Sequence, residues 1–463
     1  MTLIKSISGI RGTIGGKTDD NLTPLDAVKF ASAYGTWLLR RNAFKKHTKV
    51  VIGRDARISG KMISSLVSNT LVGLGIDVVD LGLSTTPTVE VAVPLENADG
   101  GIIVTASHNP KQWNALKLLN EAGEFLNGEE GNVILDLAAS QDFEYAEVDH
   151  LGSYKKNKDF IKKHITEVLN LALVDTEAIR NAGFKVVVDA VNSTGGIVIP
   201  ELLEALGVKC IPLYCEPTGE FPHNPEPLPK HLTEISKWVV SEKADLGIVV
   251  DPDVDRLAIV NEDGTMFGEE YTLVACADYV LSKTPGNTVS NLSSSRALRD
   301  VTQKHGGTYE ASAVGEVNVV ELMKKNKAII GGEGNGGIIY PAAHYGRDAL
   351  VGVALFLSHL AHVKISCRAL RDSYPAYFMS KNKIELTPQI DVDGILSRMA
   401  SNYKNEDIST IDGVKIDFAK EWVHLRKSNT EPIIRVYTES TSQKEADDLA
   451  QRIMDEIKEI ANI

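Results

Sequence analysis

At 463 residues the chain is too long for one hydrophobic core, and at roughly 100–200 residues per domain it is expected to form three or four domains. Apolar residues make up 43% and charged residues 24%, as in ordinary globular proteins, and 49 Lys and Arg against 62 Asp and Glu leave a net charge of −13. That balance excludes nucleic acid and anionic membrane as partners of the surface as a whole, while an anionic substrate still fits wherever cations converge.

The four cysteines, Cys210, Cys215, Cys276 and Cys367, form no C-x-x-C pair and no zinc spacing, and read as buried thiols in a reducing compartment. No apolar run reaches the ~18–20 residues of a membrane span, and the N-terminus has no signal-peptide core. A cytoplasmic protein is expected.

Near the N-terminus, "SISGIRGTIGG" holds Arg11 among small residues. "KVVIGRD" then predicts a strand, "SGKMISSLVSNTLVGLG" a helix and "IDVVDLG" a second strand. Met62, Ile63, Leu66, Val67, Leu71 and Leu74 share one helical face, with Ser59 as N-cap and Gly75 as the stop. Arg54 and Arg57, in "GRDARISG", read alone as surface or ion-paired arginines. "GIIVTASHNP" carries a strand into a polar loop, and "WNALKLL" by pattern alone gives an amphipathic helix containing Lys117. Ser107 and His108 are neighbours in that loop. Successive side chains on extended backbone point to opposite faces, so His108 is expected to be poorly placed as a base for Ser107.

The polar stretch 139–160 suits a crossing into a second unit, where "KVVVDAVNSTGG", "IVIPELLEALG" and "VKCIPLY" repeat the strand, helix and strand grammar. "EPTGEFPHNPEPLP" holds five of the 17 prolines and must be a long loop. "NTVSNLSSSRALRDVTQKHGG" with "TYEASAVG" gives a third unit. Repeated units with apolar strands imply mainly parallel α/β layers. After "RDSYPAYFMSKNKIEL" the grammar changes to alternating strands ("GVKIDF", "WVHLR", "IIRVYTES") and a terminal amphipathic helix, an α+β module with antiparallel strands. The expected domains are 1–150, 151–257 and 258–371, all α/β, and 372–463, with a hinge at 371–377 around Pro375.

Three further loops carry chemistry. In "DPDVDR" the carboxylates of Asp251, Asp253 and Asp255 follow an apolar strand, and two unit charges ~4 Å apart cost on the order of 4 kcal/mol at an effective dielectric of ~20. A divalent cation relieves that repulsion, and hard oxygen ligands suit Mg²⁺. The spacing, with Glu262 at position 12, also fits an EF-hand, but Arg256 stands where that loop needs Gly, and strands flank it. A solvated acidic turn is the ordinary alternative. "GGEGNGG" has five glycines among Gly331–Gly337, with Glu333 and Asn335 the only functional side chains. Such a loop presents a carboxylate and an amide to sugar hydroxyls; it serves equally as a phosphate cradle or a tight turn. "RKSNTEP" offers Arg426, Lys427, Ser428, Asn429 and Thr430 as donors suited to a non-reacting phosphate, against the plainer reading of a polar hairpin turn.

Together, "SGIRG", "TASHNP", "DPDVDR", "GEGNGG" and "RKSNTEP", in this order along essentially the whole chain, resemble the α-D-phosphohexomutase superfamily of phosphoglucomutases, phosphomannomutases and phosphoglucosamine mutases. The resemblance implies four domains around a central cleft, each contributing one loop. It implies that Ser107 carries a phosphoryl group and that Asp251, Asp253 and Asp255, with a phosphoserine oxygen of Ser107, bind Mg²⁺. Arg256 and Arg11 would hold the phosphoserine or its surroundings. Lys117 would be a general base, its pKa lowered among cations. Glu333 and Asn335 would meet the sugar, and Arg426, Ser428, Asn429 and Thr430 its phosphate. The reaction implied interconverts hexose 6-phosphate and hexose 1-phosphate through a sugar 1,6-bisphosphate, with glucosamine phosphate favoured over mannose or glucose phosphate, in a monomer or homodimer.

Two departures stand out. Many relatives carry a His where this chain has Gly337, so any acid/base role of that His is absent here or falls to another group, with His108 and Lys117 the candidates. Relatives also often have Asn-Gly before the lysine, whereas Ala115 follows Asn114 here. Two rival readings are a phosphatase with an aspartyl nucleophile in "DPDVD", which leaves Ser107 and Arg426 without roles, and a catalytically silent sugar-phosphate-binding protein.

Overall fold

The computed structural model describes residues 2–6, 9–43, 45, 47–385, 390–427 and 433–461. The first sheet contains strands β1 (Ile4–Ser6), β2 (Gly9–Thr13), β3 (Lys49–Arg54), β4 (Asp77–Leu83), β5 (Gly100–Val104), β6 (Trp113–Leu119) and β7 (Tyr154–Lys156). Helices α1 (Pro24–Arg41), α2 (Gly60–Gly73), α3 (Thr86–Leu95) and α4 (Gly128–Ser140) accompany it. Helix α1 starts where a Thr23–Asp26 capping box meets Pro24. Helices α5 (Phe160–Leu169) and α6 (Thr176–Ala182) lead to β8 (Lys185–Asp189), α7 (Gly195–Leu206), β9 (Lys209–Leu213), α8 (Thr233–Ser241), β10 (Leu246–Val250) and β11 (Leu257–Asn261).

The third unit runs through α9 (Glu269–Lys283), β12 (Thr288–Asn291), α10 (Ala297–Lys304), β13 (Tyr309–Ser312), α11 (Glu316–Asn326), β14 (Ile330–Glu333), β15 (Gly337–Ile339), α12 (Ala349–Val363) and α13 (Cys367–Asp372). The last comprises β16 (Phe378–Glu385), α14 (Val392–Asn402), β17 (Asp407–Ser409), β18 (Val414–Asp417), β19 (Trp422–Lys427), β20 (Ile433–Ser440) and α15 (Gln443–Ala461). Its antiparallel sheet has the order β16-β20-β19-β18-β17, as the change of grammar anticipates.

The three α/β units share one topology. Their strand orders, β6-β5-β3-β4, β11-β10-β8-β9 and β15-β14-β12-β13, coincide position by position. In each, the inner strands pair in parallel and the last strand folds back antiparallel on its predecessor. Strands β5, β10 and β11 are buried along their whole length, which is why they read as continuous apolar runs. The four-domain architecture expected from the sequence, three α/β units and one α+β unit, is what the chain adopts. No helix among the described residues is long and apolar enough to cross a membrane.

Several local expectations change. "WNALKLL" is strand β6, not a helix, because β2 and β5 cover both its edges; a short apolar run carries too little period to separate the two. Ser59 starts α2 without capping it, since its hydroxyl accepts the Asn114 amide at 2.9 Å, and Met62 on the supposed core face is 41% exposed. Boundaries at 150 and 257 cut strands from their sheets: β7 pairs with β4, and β11 with β10. The 139–160 crossing therefore supplies an edge strand.

The second and third units share a continuous core, in which Val186, Leu202 and Ile248 join Val274, Val351 and Phe356. Each such side chain contributes about 1.5–3 kcal/mol on burial. The last unit keeps a core of its own. The expected hinge at 371–377 is clamped by Tyr271, whose hydroxyl donates to the Pro375 carbonyl at 2.6 Å and accepts from the Tyr377 amide at 2.8 Å. The Arg371 guanidinium stacks on the Tyr271 ring at 3.3 Å. Tyr271→Phe is expected to lower the unfolding free energy by about 1–3 kcal/mol, read by urea denaturation; an unchanged midpoint would remove the clamp.

Candidate active site

The common topology puts the three informative loops at one equivalent place, the turn between the third parallel strand and its antiparallel partner. Ser107 lies between β5 and β6, the three aspartates between β10 and β11, and Glu333 with Asn335 between β14 and β15. The fourth loop, between β19 and β20, also joins an antiparallel pair. Its Ser428, Asn429 and Thr430 lie outside the described residues.

Ser107 is nearly buried and sits at φ +48°, a left-handed conformation. The turn is held by a single guanidinium. Arg57, fully buried, donates to the carbonyls of Ser107, Asn109 (2.6 Å), Pro110 (2.7 Å) and Trp113 (3.0 Å), and its Nε pairs with Asp55 at 3.0 Å. Asp55 in turn accepts from Thr105 Oγ1, which receives the Ser107 amide. The strained φ corrects the expectation about His108. Because Ser107 is not extended, its Oγ and His108 Nδ1 approach to 3.3 Å. Burial, with Arg256, Arg347 and Arg11 nearby, pushes the His108 pKa well down and keeps the imidazole neutral.

The Ser107 hydroxyl donates to Asp251 Oδ2 at 2.9 Å across the domain boundary. Asp251, Asp253 and Asp255 are fully buried, so the solvated acidic turn is excluded, and strands flank the loop, so it is no EF-hand. Val254 at its centre takes φ +65°, which lets alternate carboxylates converge within 4.8 Å. Burial, with Asp255 and Asp253 adjacent, raises the Asp251 pKa well above the usual carboxylate range. Burial alone would raise Asp255 too, but Arg347, Lys117 and Arg256 hold it well below. Asp253 Oδ1 and Asp255 Oδ1 are buried without a hydrogen-bond partner. All-oxygen donors with unsatisfied lone pairs suit a hard divalent cation, so the triad fits a metal.

Lys117 extends from β6 between Asp253 (2.7 Å) and Asp255 (3.3 Å). Burial would lower its pKa, but these carboxylates outweigh burial and raise it. The expected lowering among cations is thus corrected: the immediate neighbours are anions. Ala115 leaves the strand regular, with Arg11 opposite it on β2 and Lys117 in register with Ile103. Burial and Arg256 lower the Arg11 pKa. The Arg256 guanidinium lies 4.0 Å from Asp255 and 3.9 Å from Glu226 of the proline-rich loop.

Sequence reasoning missed Arg347. It donates to Asp255 (2.7 Å), Glu333 (2.8 Å) and Glu316 (3.0 Å), tying the aspartate loop to the glycine-rich loop. It also accounts for Gly337, where an added Cβ would lie 2.3 Å from the Arg347 side chain. The space a side chain at 337 would use is taken by this arginine. Glu333 also accepts from Asn291 (2.8 Å), and Asn335 caps the Gly337 amide (3.2 Å). Arg426 pairs with Asp412 at 2.8 Å, and Asp412 accepts the Val314 amide, one residue from the Gly315 amide that reaches Glu333. The only sequence signal for Arg57 was Asp-x-Arg closing an apolar strand. For Arg347 there was none beyond Asp348 capping the helix that follows.

Models of phosphoglucomutase/phosphomannomutase α/β/α domains I, II and III match residues 3–145, 162–264 and 268–377, and that of the C-terminal domain matches 384–456. A phosphoglucomutase/phosphomannomutase of Thermococcus kodakarensis is 35% identical over 94% of this chain and 95% of its own. A phosphoglucosamine/phosphogalactosamine mutase of Sulfurisphaera tokodaii is 32% identical over 98% and 97%. The crystal structure of a phosphoglucomutase/phosphomannomutase family protein from Burkholderia thailandensis superposes with a TM-score of 0.84 at 25% identity, covering 98% of both chains. The aspartyl phosphatase reading is not favoured.

Gly337→His must displace the Arg347 stem, and overpacking of that kind costs typically about 1–3 kcal/mol. In a double-mutant cycle with Arg347→Ala, measured by urea unfolding, the two changes are expected to couple by at least about 0.5 kcal/mol. Additive effects would show that the two positions do not compete for space.

Proposed function

Given that the chain belongs to the phosphoglucomutase/phosphomannomutase family, we propose that it is a Mg²⁺-dependent phosphohexomutase acting on hexose 6-phosphate and hexose 1-phosphate, with Ser107 as the phosphoryl carrier. The observation that carries the reading is the 2.9 Å contact from Ser107 Oγ to Asp251, at the edge of three buried carboxylates. Asp251, Asp253 and Asp255 would hold Mg²⁺, which would supply Lewis-acid polarisation of the phosphoryl group beside Ser107.

The remaining chemistry belongs to the chain. Phosphorylated Ser107 gives its phosphoryl group to the free hydroxyl of a bound hexose phosphate: the Oγ–P bond breaks, a sugar O–P bond forms, and the hydroxyl loses its proton. His108 is the better-supported acceptor for that proton, since burial and the nearby arginines keep it neutral, while Lys117 as an ammonium balances Asp253 and Asp255. Positioned cations, Arg11, Arg256 and Arg347, stabilise charge on the phosphoryl oxygens in transit. The bisphosphorylated sugar turns around, because one serine must reach both ends, and returns its other phosphate to Ser107. Arg426, Ser428, Asn429 and Thr430 hold the non-reacting phosphate, and Glu333 and Asn335 the sugar, in either orientation. Glucosamine phosphate is the favoured substrate, with mannose and glucose phosphates next. The enzyme works in the cytoplasm as a monomer or homodimer.

Ser107→Ala, assayed with added sugar 1,6-bisphosphate, is expected to lose all measurable mutase activity; retained turnover would end the phosphoserine mechanism. Comparing kcat/KM for glucosamine, mannose and glucose phosphates is expected to rank glucosamine first, and equal values would withdraw the preference.

A further inference from the structure

Behind Lys117 lies a second cluster of ligating groups, distinct in chemistry from the aspartate triad. His164, from α5, and His344, from the loop before α12, both direct Nε2 at the same oxygen, Asp348 Oδ2, at 2.9 Å and 3.1 Å. These three donor atoms lie within 4.8 Å of one another. Asp348 is held in place by its other oxygen, which caps α12 through the amides of Leu350 (2.7 Å) and Val351 (3.3 Å).

The far sides of both rings are also occupied. His164 Nδ1 meets Thr88 Oγ1 at 3.0 Å, and His344 Nδ1 faces Glu90 Oε2 at 3.5 Å. Glu90 is the independent observation. It is 2% exposed, and neither carboxylate oxygen has a hydrogen-bond partner. Room for it exists only because position 346 is glycine: a Cβ there would lie 2.0 Å from Glu90 Oε2.

We propose that His164 Nε2, His344 Nε2 and Asp348 Oδ2 bind a borderline divalent metal of the Zn²⁺ class. With protons on Nδ1, on the sides of the rings that face Glu90 and Thr88, both Nε2 atoms present lone pairs to a carboxylate oxygen, and three acceptors then converge on one point. A cation resolves that convergence. Zn–N and Zn–O lengths of roughly 2.0–2.2 Å set tetrahedral ligands about 3.3 Å apart, close to the spacings here. Two imidazoles and one carboxylate favour Zn²⁺, Co²⁺ or Fe²⁺ over Mg²⁺. Glu90 and Thr88 then orient the ring ligands, as outer carboxylates and hydroxyls do around metal-bound histidine. Thr88 and Glu90 belong to α3, His164 to α5, and His344 and Asp348 to the third unit, so the metal joins three parts of the chain beside Arg347. The competing arrangement has both rings donating Nε2–H to Asp348 Oδ2 with no metal.

The test uses the full-length protein, stripped with a chelator, returned to Mg²⁺ buffer and titrated with Co²⁺. The wild type and Asp253→Asn are both expected to develop visible d–d absorption saturating at one equivalent and abolished by competing Zn²⁺. His164→Gln and His344→Gln, checked for folding by circular dichroism, are expected to lose the band, and Glu90→Gln to weaken Zn²⁺ binding by roughly 10–100-fold. No band in the wild type would show that the three groups hydrogen-bond one another without a metal and would overturn the proposal. A band surviving in a folded His164→Gln or His344→Gln protein, or lost in Asp253→Asn, would locate the metal elsewhere and overturn it equally.

Discussion

Burying three carboxylates at one point is the constraint on which the rest of this structure depends. Asp251, Asp253 and Asp255 are fully buried, and no set of groups on their own loop can neutralise them. The compensation comes from elsewhere in the chain: Lys117 and the Thr86 and Ser107 hydroxyls from the first unit, and Arg347 from the third. Like charges a few ångströms apart in a low dielectric repel strongly, so these partners act as the electrostatic seam of the molecule. The domains are held in the arrangement that lets their cations reach one anionic centre.

The repeated topology makes such convergence cheap to build. Each α/β unit offers its loop at the same turn, after the third parallel strand and before the reversed one. A hairpin turn leaving a buried strand is rigid at both ends yet free to adopt unusual backbone, and the site uses that freedom at Ser107 and Val254. The positive φ at Ser107 aims the hydroxyl at the second unit and brings His108 alongside. Arg57 makes the conformation durable by saturating four carbonyls that a tight turn would leave without donors.

The last unit is joined to this frame by a different device. Arg296 donates to Asp417, to the Phe418 and Glu421 carbonyls, and through its amide to Glu439, which also receives the Trp422 indole. With Tyr271 clamping Pro375 and Tyr377, the segment read as a hinge is anchored at several points. Any swing of this unit must exchange a specific polar network for another, and not merely bend a linker.

Much of this was written in local patterns. Apolar strands followed by amphipathic helices give α/β layers because burial depends on residue spacing that a window of ten residues already contains, and the strand-borne aspartates mark a candidate cation site because their charges conflict at short range along the chain itself. Ser107, the three aspartates and the glycine-rich turn were therefore legible. What the fold alone decided were pairings between distant segments. Whether "WNALKLL" is helix or strand rested on β2 and β5 lying beside it. Whether Lys117 is a base or a counter-ion rested on carboxylates some 136 residues away. Arg347 and Glu90 have no local signature, because a long-range ion pair or an unpartnered buried carboxylate exists only after the backbone has set which groups meet and how far each stands from water.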